Sequence, residues 1–159
     1  MKILSTKTKN CGSNSSYLIG ILATFLLFFS FARIGLELIP CRTQPESDLG
    51  LQYVTSLPEN TGLLFTVEPG TAFHTHNCLF PIDWACFSKD FKLLELKTLA
   101  PEGDGYLVPA GTAYVIETNP GFFAKKGIKT GRRFCSCSIR YSKKFKDVYA
   151  LPRNEKYRR

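Results

Sequence analysis

The stretch Ala113–Thr118, AYVIET, runs directly into Asn119-Pro120-Gly121. Its β-branched and aromatic residues fit a pleated, half-buried surface, so it predicts a strand. The residues that follow predict a short helix, with Asn119 as N-cap, Pro120 at the first helical position and Gly127 past the last turn. The same rhythm of short apolar runs and turn signals extends in both directions. Strands are expected at Arg33–Cys41, Leu63–Val67, Ala72–Cys78, Pro81–Phe87, Phe91–Leu99 and Phe134–Tyr141. Ser88-Lys89-Asp90 reads as a turn and Glu102–Gly105 as a loop. Pro45–Tyr53 opens with Pro-Glu-Ser-Asp and reads as one or two helical turns. Strands at roughly ten-residue spacing predict a mainly β fold, a small sandwich or barrel-like domain with one or two short helices. A parallel α/β fold is disfavoured, because too few helices exist to cover two faces of a sheet.

At 159 residues, 44% of them apolar and 21% charged, the chain has the makings of one folded domain and not of a disordered one. Six cysteines are too few for a miniprotein held by disulfides. The formal charge of +8 suggests an anionic partner, but its distribution changes that reading. Residues 1–32 hold three lysines and no acid. Residues 33–121 hold eleven acidic and five basic side chains, and residues 122–159 hold thirteen basic and two acidic ones.

Between Tyr17 and Ala32 lies a run without charge, YLIGILATFLLFFSFA, behind the basic Lys2, Lys7 and Lys9. Helical, it would reach roughly 24 Å, short of the roughly 30 Å hydrocarbon layer. Residues 1–32 therefore read as an N-terminal apolar helix, either a cleaved secretory signal or an uncleaved signal anchor. Ser30 and Ala32 supply the small residues a cleavage site needs. Both readings place residues 33–159 outside the cytoplasm, as an exported, periplasmic or membrane-anchored protein. A β domain is then expected over 33–141 and a basic tail over 142–159. Such a tail suits an anionic membrane surface or an acidic polymer, and export makes nucleic acid the weakest partner.

His74-Thr75-His76-Asn77-Cys78 contains the chain's two histidines. On a regular strand His74, His76 and Cys78 would share a face, as Cys135 and Cys137 would on the last strand. Imidazole and thiolate are competent ligands for zinc or copper. The commoner reading of so short a pattern is a pair of hydrogen-bonded or partly exposed histidines, and no cofactor is expected. Asp83 and Glu117, on separate strands, could form a carboxylate dyad for acid–base work, or Asp83 could simply accept hydrogen bonds. Cys86 alternates with Ile82 and Trp84 and reads as a small core residue. Beyond Cys11, five cysteines remain, so an oxidising compartment would leave one unpaired. No nucleophile elbow, phosphate-cradling glycine loop or nucleotide fingerprint is present.

Three stretches carry a resemblance: TSLPENTGLLF (Thr55–Phe65), FHTHNCLFPIDWACF (Phe73–Phe87) and AYVIETNPGFFAKKGIKTG (Ala113–Gly131). In order and spacing they resemble the domain-of-unknown-function family 192, over about Arg33 to Phe134. The matching positions are Gly50, Leu51, Leu57, Pro58 and Gly62, then Phe73, Asn77, Pro81, Ile82 and Asp83, then Glu117, Gly121, Gly127 and Gly131. The resemblance implies a small mainly β domain, often behind a signal peptide or membrane segment, and implies no reaction. The chain departs from the family's pattern at His74 and His76, where tryptophan and lysine are usual. It departs again at Ser47 and Val54, where arginines are usual, and at Arg132, where an aspartate is usual. A polar site built from those arginines and that aspartate would be altered here. The expected function is a non-catalytic binding or envelope role, with His74, His76, Asn77, Asp83 and Glu117 as candidate ligand contacts. The alternative is a metal-binding protein or a small hydrolytic enzyme using His74, His76 and Asp83.

Overall fold

Short runs of β-branched and aromatic residues do form the strands, but the central ones are buried on both faces. The computed structural model describes residues 35–55, 57–134, 139–141 and 148. In chain order the elements are β1 (Leu36–Pro40), α1 (Gln44–Leu49), β2 (Thr61–Thr66), β3 (Ala72–Phe73), β4 (Ile82–Phe87), β5 (Leu93–Leu99), β6 (Tyr106–Leu107), β7 (Tyr114–Thr118), α2 (Phe122–Lys125) and β8 (Ile139–Tyr141). They lie in one compact unit spanning Ala32–Arg159.

Six strands make one sheet in the order β5-β4-β7-β2-β1-β8, and β3 pairs with β6 as a separate ribbon. The expected sandwich or barrel is therefore corrected to a single mixed sheet with β5 and β8 at its edges. β1 runs parallel to both β2 and β8, while β2, β7, β4 and β5 are antiparallel neighbours. A parallel pair needs a crossover rather than a tight turn. Between β1 and β2 that crossover carries α1.

Successive residues of a strand point to opposite faces. One face of the sheet presents Leu63, Phe65, Ile82, Trp84, Cys86 and Val115 to a core closed by Leu51, Val54 and Leu57. The other presents Leu64, Ala85, Phe87 and Ile116 to Phe122, Phe123, Ile128 and Phe134. Burial on both sides leaves all six residues of β4 inaccessible. Each large apolar side chain fully buried this way contributes about 1.5–3 kcal/mol. Gly62 lets β2 lie tight against β7: a Cβ there would sit 2.9 Å from the Glu117 carbonyl oxygen and 2.9 Å from Thr118 Cγ2.

α1 forms as its sequence suggests. Thr43 caps it, accepting from the Glu46 amide, while the Glu46 carboxylate accepts from the Thr43 amide at 3.0 Å. This reciprocal capping box satisfies two amides that the helix itself cannot. α2 starts differently from expectation. Gly121, at φ 77°, is its N-cap, and the Asn119 side chain is engaged elsewhere. Asn119 Oδ1 accepts from the Leu57 amide at 3.0 Å, and Nδ2 donates to the Leu57 carbonyl at 2.6 Å. This two-way clasp fastens the segment before β2 to the end of β7. Asn119→Ala is expected to cost about 1–3 kcal/mol, because it strands the amide of a buried residue; the midpoint of urea denaturation reads the loss.

The apolar run Tyr17–Ala32 lies outside the described residues, as do Cys135 and Cys137. Among the described residues no helix is long and apolar enough to cross a membrane. Of the expected last strand, Ile139–Tyr141 is observed. Val148, within the expected basic tail, is 2% exposed and belongs to the core on the Trp84 face.

Candidate functional site

The expected strand Ala72–Cys78 ends at Phe73, and this correction reshapes the site. Thr75 is responsible. Its buried hydroxyl donates to the Ala100 carbonyl at 2.7 Å and accepts from the Gly103 amide at 2.8 Å. Its backbone also bonds Gly103, Glu102 and Cys78. A hydroxyl that captures backbone groups turns the chain away from a ladder. His74, His76 and Cys78 consequently do not share a strand face. The two imidazoles stack at 4.6 Å between centroids, and the His76 amide donates to His74 Nδ1 at 3.3 Å. His76 Nε2 lies 3.7 Å from Asp104 Oδ2, both exposed. Thr75→Val is expected to lower stability by about 1–2 kcal/mol and to unstack the histidines, visible as shifted imidazole resonances.

Asn77 adopts φ 57°, a left-handed conformation that asparagine tolerates better than most residues. Its amide donates to Glu102 Oε1 at 2.9 Å, its Nδ2 to Gln52 Oε1 at 3.1 Å, and its carbonyl accepts from the Tyr53 amide. Asn77 thus ties the segment after α1 to the 101–104 turn.

Asp83 and Glu117 do not form a dyad. Trp84 is the cross-strand partner of Glu117, and Asp83 that of Thr118. Residues directly opposite share a face, so Asp83 and Glu117 point to opposite sides of the sheet. Asp83 is buried and accepts from Thr98 Oγ1 at 2.7 Å.

Glu117 is on the side that opens. A cavity of about 380 Å³ lies between α1, the end of β2 and β3, with Glu117, Cys78 and His74 in its wall. Glu117 is 4% exposed, and its carboxyl has no hydrogen-bond partner among the described residues. Burial disfavours the charged form and pushes its pKa up to about 8. It is therefore largely a neutral acid at pH 7, able both to donate and to accept. The thiols nearby are inert for the same reason. Burial, reinforced by the Glu117 charge, raises Cys41, and raises Cys78 to about 12. Cys86, in the core as expected, also rises to about 12 by burial. All three are free thiols. Among the described residues no group of three His, Cys, Asp or Glu side chains is placed to hold a metal ion.

The structure thus brings together His74, Cys78 and Glu117 from the expected residues. It leaves His76 and Asn77 outside the cavity wall and Asp83 across the sheet. Sequence reasoning missed the contributions of α1 and of Phe65, Phe73 and Glu68. One signal was available: Glu117 alternates with the buried Val115, so a carboxylate was due on a core-facing position. Ser47 and His74, two of the departures from the family pattern, both line the cavity.

No curated protein matches the chain. A crystallised protein of unknown function from Novosphingobium aromaticivorans is 30% identical, with 60% of this chain and 69% of that one covered and a TM-score of 0.49. A crystallised Sinorhizobium meliloti protein, described as a candidate transcription regulator, is 22% identical, with 62% and 78% covered and a TM-score of 0.51; it is similar in fold. Residues 32–135 match the domain-of-unknown-function family DUF192, described as Uncharacterized ACR. That match spans well over half of the sequence, and the chain belongs to the DUF192 family.

Proposed function

We propose that the chain is a non-catalytic small-ligand-binding domain, carried on an exported, membrane-associated protein. The observation that carries the reading is the cavity over Glu117. Its volume of about 380 Å³ falls in the range of roughly 300–1,000 Å³ usual for small-molecule sites. A buried carboxyl without a partner is costly unless something pairs with it. The thiols beside it are held protonated and are poor nucleophiles. The histidines stack on each other, and the second carboxylate faces away. Each of these supports binding over turnover.

Fragment screening by crystallography and by protein-observed NMR on the full chain tests the reading. Hits are expected to collect over Glu117 and to shift the Phe65 and Phe73 resonances. A screen whose hits avoid the cavity altogether removes the binding function.

The export half of the reading is supported by the apolar run behind Lys2, Lys7 and Lys9. Alkaline phosphatase folds actively only outside the cytoplasm, so a fusion after Arg159 is expected to be active. The basic residues beyond Tyr141 are assigned to an anionic membrane surface, at about 1 kcal/mol per lysine or arginine close to it. Removing residues 149–159 is expected to reduce pelleting with phosphatidylserine vesicles, while Val148 and the core it completes stay in place.

A further inference from the structure

The cavity walls carry a chemical bias that goes beyond the existence of a pocket. Three carboxylates line it: Glu117 at the floor, and the exposed Asp48 and Glu68 at the rim. Among the described residues no lysine or arginine lines it. Among the described lining residues the one nitrogenous ring is that of His74, itself exposed and stacked on His76. The wall also includes Phe65 and Phe73, packed edge to face at 5.3 Å between centroids. Ring faces attract cations, the more so where water is excluded. An anionic ligand would meet three acids and, among the described residues, no fixed positive charge. An uncharged ligand would leave the rim acids unused.

We propose that the cavity takes a small organic cation, an ammonium or guanidinium group seated against the Glu117 carboxyl with its hydrocarbon part along Phe65 and Phe73. The assignment rests on the ligand-binding reading above and names its ligand class. Glu117 is the anchor because it is a buried carboxyl in the wall that no side chain among the described residues pairs with. Gln52, also in the wall, is held by Asn77 at 3.1 Å and so presents a fixed amide rather than a free one. On α1, Asp48 accepts from Gln44 Nε2 at 2.7 Å, which fixes its carboxylate near the mouth. Selection by charge therefore has two stages, an acidic rim and a buried acid at the floor.

Seating a cation has a proton consequence. The Glu117 carboxyl ionises to match the arriving charge: its O–H bond breaks, the proton leaves to buffer, and the carboxylate pairs with the ligand nitrogen. The groups that face Glu117 are Cys41 from the end of β1, Asp48 from α1, Glu68 after β2, and His74 and Cys78 after β3. The thiols stay protonated throughout the neutral range. His74 is the remaining lining side chain with a ring nitrogen facing the site, and its substitution serves as the control.

The test is isothermal calorimetry on the full chain with three probes of one shape: benzylammonium, benzyl alcohol and benzoate. At pH 6.5 benzylammonium is expected to bind at least tenfold more tightly than either of the others. Titrations in phosphate and in imidazole buffer should show release approaching one proton per ligand. Glu117→Gln is expected to weaken benzylammonium at least tenfold and abolish the release, while His74→Asn leaves the release intact. Asp48→Asn with Glu68→Gln, which touches only the rim, is expected to weaken binding two- to fivefold. If benzyl alcohol or benzoate binds as well as the cation, and shifts Phe65 and Phe73, the cation assignment is overturned and the pocket reading stands. Release that survives Glu117→Gln but not His74→Asn overturns the role of Glu117. If none of the three probes perturbs Phe65 or Phe73, the cation assignment falls, and the fragment screen decides separately whether the pocket binds anything else.

Discussion

Glu117→Gln is expected to leave stability nearly unchanged at pH 5 and to raise it by several kcal/mol at pH 8.5. The folded-state pKa of Glu117 is about 8, against 4.5 for the free side chain. Below 4.5 the carboxyl is protonated in both states, and burying it carries no ionisation penalty. Between 4.5 and about 8 the unfolded chain gives up the proton and the folded chain keeps it. Stability therefore falls as pH rises through this window, and it levels off once the folded state ionises too. Each pH unit of that window is worth about 1.4 kcal/mol, so the loss approaches roughly 5 kcal/mol by pH 8.5. Glutamine is close in shape and does not ionise, so its stability should be flat over the same range. Urea midpoints of both chains at pH 5, 6.5, 7.5 and 8.5 measure the difference. Equal slopes for the two chains would remove Glu117 as the source. The window stops short of the thiols, whose folded-state values lie at about 12 or above.

Trp84→Ala is expected to cost about 3–5 kcal/mol, a large share of the roughly 5–15 kcal/mol that holds an ordinary domain folded. Trp84 is fully buried at the centre of β4, between β5 and β7. Phe73 meets it edge to face at 6.0 Å, and Lys97 Nζ stands 6.0 Å from its ring centroid. Alanine would leave a void between the sheet and the ribbon that carries Phe73, and so would also open the cavity wall. Trp84→Phe should be far milder. The indole Nε1 is buried without a hydrogen-bond partner among the described residues, so phenylalanine removes an unsatisfied donor along with part of the ring. Thermal midpoints of the two variants are expected to separate widely. Similar large losses for both would show that the whole indole volume matters and that its unpaired N–H costs little.

Much of the fold was legible because short-range chemistry wrote it. AYVIET became β7 within a residue of its expected span, and PIDWACF became β4. The Pro-Glu-Ser-Asp opening became a capped helix, since a capping box needs only four consecutive residues. Two of the failures share one cause, the capture of a polar side chain by a distant segment. Thr75 bonds residues 25 and 28 positions away, which ended a strand that alternation had extended to Cys78. Asn119 bonds Leu57 across 62 positions, which took it from the helix cap that its sequence neighbours suggested. The sandwich expectation failed for a separate reason. Period-two alternation cannot tell a second sheet from a covering layer of loops and a helix, because both bury the same residues.

The candidate site followed the same division. Residue chemistry singled out His74, Cys78 and Glu117 before any fold was known, and the cavity wall holds all three. Their meaning, however, depended on register. Placing Trp84 opposite Glu117 sent Asp83 to the far face and left one carboxyl facing the cavity where two had been paired. The sequence by itself determined the mainly β character, the family and the polarity between an acidic body and a basic end. These are properties of composition and local pattern, and they survive any rearrangement of the strands. Only the tertiary structure decided which acid faces the cavity, which histidine reaches it and what charge it favours. Those depend on strand order and register, which long-range pairing sets and which a one-residue slip would reverse.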